Sequence, residues 1–340
     1  MKLGHRSLIA IPATFAAVMA STGLAPAALA SHGGTRVPAV TATPHVTATI
    51  PVGSGPTAIA ADRLTGKVYV TNANGGTVSV INGKTNKVVA TIRGFFDPRA
   101  VAADPRTGRV YVTWVDNSSS VSKTSVISER TDKVIATISG VGGGEGIAVN
   151  PGTDRIYAGD EQGVAVINGQ TNKVVAQVRY SPAIITGGAV NPRYNRVFFG
   201  EGNQQTVVMI NGYTNKVITH ILLPSSFPVT DVAVDPRTNL LYVATVDSFV
   251  QVFNARTSEF IGDFDAAGSG NQGIAVNPQT DLVYVTSPDA NVVTVANGQT
   301  GQRVAAIPVA GSPFAVAVNR ATGRAYVADQ RNNTVSVIAP

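Results

Sequence analysis

The chain has 340 residues, of which 44% are hydrophobic and only 14% charged, with a formal net charge of +6 at pH 7. That composition excludes a disordered polyelectrolyte and is ample for a sizeable core. There is no cysteine, and the only histidines are His5, His32, His45 and His220, which excludes disulfides, thiolate chemistry and a histidine-rich metal centre.

Residues 1–30 read as a secretory signal peptide. Lys2 and Arg6 precede an apolar run over 8–20, and Ala28-Leu29-Ala30 forms a small-x-small cleavage signature before Ser31. The run is shorter than the roughly 20 apolar residues of a membrane span, and it contains Pro12. No later segment reads as a span. The expected mature protein is soluble and monomeric, and it is secreted to the extracellular space or the cell envelope after cleavage near Ala30. Residues 31–42 read as a linker.

From residue 43 to 340 the chain repeats. Val68-Tyr69-Val70-Thr71-Asn72 returns as Val110-Tyr111-Val112-Thr113, then around Tyr157, Phe198, Tyr242, Tyr284 and Tyr326, at spacings of 42, 46, 41, 44, 42 and 42. Seven residues before each aromatic stands Asp62, Asp104, Asn150, Asn191, Asp235, Asn277 or Asn319, in identical register. Each unit reads as four strands. In the first unit these are Ala58-Ile59-Ala60-Ala61, the Tyr-Val-Thr segment, Thr77-Val78-Ser79-Val80-Ile81, and Val88-Val89-Ala90-Thr91-Ile92. An Asn82-Gly83 turn separates the last two. Four strands at this period predict a propeller blade. The last unit stops after its third strand, while the segment from Thr43 to Ile50 aligns without gaps to the fourth strand of the first unit. The expected fold is therefore all-β, a seven-bladed β-propeller of four-stranded blades whose N-terminal strand completes the last blade.

The string Tyr69-Val70-Thr71-Asn72 and its six echoes resemble the YVTN-repeat β-propellers, over about residues 43–340. That family stands near the lactonase-type and streptogramin-lyase-type propellers. The first resemblance implies a divalent cation at the channel mouth, and the second implies histidine there. His45 and His220 fall in or beside outer strands, so no histidine is expected at the mouth.

Blade topology assigns each loop to a rim. The turns on the lower rim hold eighteen basic residues, among them Lys84, Lys87, Arg106 and Arg109, against eight acids. Ordinary solubilising turn residues would give this pattern. So would a face that attracts an anionic polymer such as a cell-wall polymer or nucleic acid.

On the upper rim two sets of equivalent positions break the repeat. Five before each Asp/Asn marker are Thr57, Arg99, Glu145, Thr186, Thr230, Gln272 and Phe314. Three beyond each aromatic are Asn72, Trp114, Asp160, Glu201, Thr245, Ser287 and Asp329. Glu145, Asp160, Glu201 and Asp231 belong to blades three to five. They form either a solvated acidic rim or an oxygen-ligand set for Ca²⁺ or Mg²⁺. Trp114, the sole tryptophan, opens a long loop to Thr124. With Arg99 and Phe314 it forms either a platform for a sugar or ring, or a side chain packed beneath its own loop.

Three functions follow from these readings. The chain is a binding or surface-interaction module with an unknown ligand or protein partner at the upper face. Alternatively it is a metal-dependent lactonase-like hydrolase or lyase, or a polyanion binder through its basic face. The weight lies on binding without catalysis, and no catalytic residue is assigned.

Overall fold

A computed structural model describes residues 43–116, 118–119, 121–160, 162–180 and 184–339. The expected signal peptide (1–30) and linker (31–42) lie outside the described residues. All regular elements among those residues are strands, arranged as seven four-stranded antiparallel sheets. Blades one to six cover 56–93, 100–139, 147–179, 185–222, 229–265 and 274–308. Blade seven takes three strands from 313–339 and its outermost from His45–Pro51, which pairs with Thr334–Ala339 from His45↔Ala339 to Pro51↔Thr334. The first strand of every blade touches the first strands of its two neighbours, so these seven strands enclose a central channel.

The repeat exists because each blade must bury both faces against its neighbours. The second and third strands are covered on both sides. Val68, Tyr69, Val70, Val78 and Val80 are all fully buried, and for that reason they read as near-continuous apolar runs instead of alternating ones. The fourth strands form the perimeter and leave Val89, Ile135 and Val175 exposed.

The tyrosine does more than fill volume. Tyr326 Oη donates to the Gly83 carbonyl at 3.0 Å, Tyr111 Oη to Gly169 at 3.4 Å and Tyr157 Oη to Gly212 at 3.5 Å. Each bond runs from one blade to the Asn-Gly turn of the next, so the aromatic and the turn glycine are two ends of one inter-blade joint. A Cβ on Gly83 would lie 2.4 Å from the Gly66 carbonyl oxygen, which forbids any side chain there. Blade four replaces the tyrosine with Phe198, and blade five replaces the glycine with Ala255. The two share one buried cluster in which no hydroxyl needs an acceptor.

The Asp/Asn markers are explained by the turns. Asp62 Oδ1 accepts the Leu64 and Thr65 amides, both at 2.7 Å, and Asn319 Nδ2 donates to the Gly66 carbonyl at 2.9 Å. These side chains satisfy backbone groups that the turn would otherwise leave unpaired.

The long loop expected after Trp114 is largely strand. The second strand of blade two runs Arg109–Asp116, the third runs Val121–Ser128, and pairing continues through Trp114↔Lys123 to Asp116↔Val121. The extra residues lengthen a hairpin because backbone pairing satisfies polar groups that an open loop would leave to water.

Candidate functional site

The upper end of the channel opens into a cavity of about 450 Å³. Six of the seven positions five residues before the markers line it: Thr57, Arg99, Glu145, Thr230, Gln272 and Phe314. They sit at the starts of the first strands or in the links just before them, the part of each blade nearest the axis. The seventh, Thr186, is displaced. A bulge between Thr186 and Ala189 brings Gly187 and Gly188 to the wall, and Thr186 Oγ1 donates to the Val229 carbonyl at 2.9 Å. Such bulges redirect a side chain at a sheet edge.

Asp231 also lines the cavity, one blade from Gln272. Its Oδ1 accepts the Val232 amide at 2.8 Å, and its Oδ2 accepts the Ile274 amide at 3.0 Å. Burial pushes its pKa up to about 7, against the pull of those two bonds. Part of the residue still reaches the channel, but protein surrounds most of the carboxyl, and enclosure dominates. Near neutral pH this group therefore switches between an acceptor pair and a protonated acid facing the cavity.

Two wall residues were not legible in the repeat. Asp97 lies in the link before blade two and pairs with Arg99, Oδ2 to Nη2 at 2.9 Å. Arg99 Nη1 also donates to the Gly143 carbonyl at 3.2 Å. Gln330 follows the second strand of blade seven. Asp97 lies outside both sets of equivalent positions, and Gln330 sits one residue past the position that the register singles out.

The second set of positions does not face the channel at all. Asp160 Oδ2 accepts Gln177 Nε2 at 2.7 Å, and its Oδ1 accepts the Gln162 amide at 2.8 Å. Glu201 is fully buried, and its Oε2 accepts the hydroxyl of Thr206 and lies 2.9 Å from His220 Nδ1. Asn72 bonds Thr77 and Ser79, and Asp329 accepts Thr334 and Ser336. All of these close their own hairpins toward the third and fourth strands. The reason is radial order: the first strand stands between the second strand and the channel.

The proposed grouping of Glu145, Asp160, Glu201 and Asp231 is therefore not assembled. Glu145 and Asp231 reach the mouth, while Asp160 and Glu201 turn away from it. Among the described residues no three His, Asp or Glu side chains gather as a cation site would require. The donors present do not fit Ca²⁺ or Mg²⁺ held by these four.

Trp114 likewise leaves the mouth. It packs half-buried at the seam of blades one and two, edge-on to Phe95 with centroids 6.2 Å apart. Its Nε1 donates to Ser125 Oγ at 2.9 Å, and Lys123 Nζ stands 4.9 Å from the ring centroid. Arg99 and Phe314 remain on the cavity wall without it.

The lower rim is more basic toward water than its formal count. Six of its eight acids are buried: Asp62, Asp104, Glu129, Asp154, Asp235 and Asp281. Lys84, Lys87, Lys133, Lys173 and Lys216 are exposed. Arg106 and Arg109 are partly structural. Arg106 Nη1 donates to the Pro151 carbonyl at 3.1 Å, and Arg109 Nη1 donates to the Gly169 carbonyl of the next blade.

No protein-family model matches the chain, and no curated protein matches it either. The fold stands on the geometry: a seven-bladed β-propeller with an open upper mouth.

Proposed function

We propose that this chain is an exported propeller of the YVTN-repeat kind that works as a binding module, taking a small polar ligand or a partner's side chain in the upper mouth of the channel. One observation carries the reading. Equivalent positions in six blades converge on one cavity with different chemistry: a cation, a carboxylate, an amide, an aromatic ring and two hydroxyls. Its volume lies in the range of small-molecule sites, roughly 300–1,000 Å³. Export rests on the charged, apolar and small-x-small parts of residues 1–30. Among the described residues no helix is long and apolar enough to cross a membrane.

The test is a thermal-shift screen of neutral sugars, polyols and small amines against the protein and its Gln272→Ala and Phe314→Ala variants. A hit that stabilises the parent and loses its shift in both variants supports the mouth site. Hits that shift all three proteins equally would remove it.

A second reading attaches to the lower rim, where buried acids leave exposed lysines facing water. An anionic polymer would bind there mainly by screening and counterion release, so affinity should fall steeply with salt. Replacing Lys84, Lys87, Lys133, Lys173 and Lys216 with Ser should weaken polyphosphate binding without unfolding the ring. Binding indifferent to salt and to these changes would discard this reading.

A further inference from the structure

The lower end of the channel holds a second cavity, about 530 Å³, which shares Gly188, Val232, Ile274 and Val316 with the wall of the upper one. Its wall is alanine, valine, isoleucine, proline and glycine, with two exceptions, Arg63 and Arg320. No carboxylate lines it.

The two arginines occupy the same place in the repeat. The residue after the Asp/Asn marker is proline in blades two to six, as Pro105, Pro151, Pro192, Pro236 and Pro278. Only blades one and seven carry arginine there, and these blades are neighbours across the ring closure. Their turns abut through the Asn319 Nδ2 bond to the Gly66 carbonyl. A pattern copied with each duplication has thus been broken twice, at adjacent blades, with the same cation.

Neither guanidinium makes an ion pair or hydrogen bond among the described residues, unlike Arg106, Arg109 and Arg237 nearby. Both arginines are exposed at the rim of the mouth; partial burial against its wall lowers the pKa of Arg320, and the charge of Arg63 adds to that effect. Asp235 acts the other way; it is fully buried, its Oδ1 accepts the Arg237 amide, and its Oδ2 has no partner among the described residues. Two exposed guanidinium forks, neither with a side-chain partner among the described residues, stand at the edge of a bowl walled by alanine, valine, isoleucine, proline and glycine residues. Such forks bind a carboxylate through paired N–H donors, and the bowl removes apolar surface from water. A polymer lying across the rim would use the first property and not the second.

We propose that the lower channel mouth binds a small amphipathic carboxylate, its head held by Arg63 and Arg320 and its aliphatic or aromatic body laid against the valine, isoleucine and proline wall. This site lies at the other end of the channel from Arg99, Glu145, Gln272 and Phe314, and it does not use the lysines of the rim.

Calorimetric titration of the full chain with decanoate, kept below its micelle threshold, tests the proposal, with decanol as the uncharged isostere. Decanoate should bind at least about tenfold more weakly to the Arg63→Gln/Arg320→Gln variant, with melting temperature confirming that the variant folds. Decanol should bind weakly and equally to both. The rim variant lacking Lys84, Lys87, Lys133, Lys173 and Lys216 should keep the parent's decanoate affinity and lose its polyphosphate affinity, which separates the two lower-face ideas. The proposal is overturned if decanoate fails to bind the parent at millimolar concentration. Equal binding by the double arginine variant, or an equal loss in the lysine variant, would overturn it as well.

Discussion

Ring closure is the point at which a small change should have the largest effect. The strand His45–Pro51 is the only part of blade seven from the N-terminal end, and it covers Val335, Val337 and Ile338, all fully buried. Ile50 is 4% exposed and belongs to the cluster joining blade seven to blade one, with Val68, Val70 and Tyr326. Cutting Ile50 to Ala leaves a cavity at that seam and should cost about 2–4 kcal/mol. For a ring of this size that corresponds to a fall in melting temperature of about 3–6 °C. A mature chain beginning at residue 52 should lose more. It also strips pairing from the edge of Thr334–Ala339 and opens that edge to aggregation. A chain beginning at residue 43 keeps the strand and should melt with the parent. Scanning calorimetry of the three proteins, with light scattering during the melt, provides the comparison. A synthetic peptide covering 43–52 should restore part of the lost stability in trans. Melting of the two truncated chains within about 2 °C of each other, or an Ile50→Ala shift below about 1 °C, would refute closure by this strand.

Three further outcomes are expected. Tyr326→Phe removes the donor to Gly83 O and Asn86 Oδ1, each at 3.0 Å, and should cost about 1–2 kcal/mol in urea unfolding, whereas Tyr284→Phe, whose hydroxyl has no partner among the described residues, should cost little. Burial, with Asp62 close by, raises the pKa of Glu129 to about 7. The folded state therefore holds a proton that the unfolded state releases near 4.5, and the resulting stability is complete below about pH 4.5 and lost as pH rises to about 7. Glu129→Gln should flatten that window, raising stability at pH 8 by up to about 3 kcal/mol, and unchanged pH dependence would contradict the assignment. Trp114 is the sole tryptophan and lies at the seam of blades one and two, so its fluorescence should follow urea unfolding of that seam and ignore a ligand that shifts only the upper mouth.

The architecture was legible in the chain because a propeller blade repeats its constraints. Each blade needs an apolar second strand with a buried aromatic and a turn capped by Asp or Asn, and most carry a glycine where the neighbour's aromatic arrives, with Glu129 in blade two and Ala255 in blade five as departures. Those demands recur at a fixed spacing, and the same logic identified Thr43 to Ile50 as the missing strand of the last blade. The register also located six mouth residues, since a first-strand start lies near the axis in any blade. Which way a side chain points at a strand end was not legible. Asp160, Glu201 and Trp114 break the repeat as visibly as Glu145 and Gln272 do, yet they lie one strand further from the axis and close their own hairpins. Nor could sequence order show that Arg63 and Arg320, 257 positions apart, line the same mouth of the channel. Ring closure alone makes the first and last blades neighbours. Local periodicity is set by short-range packing and turn chemistry, so it is written in the sequence; the meeting of side chains around a channel depends on radial order and closure, which exist only in the folded ring.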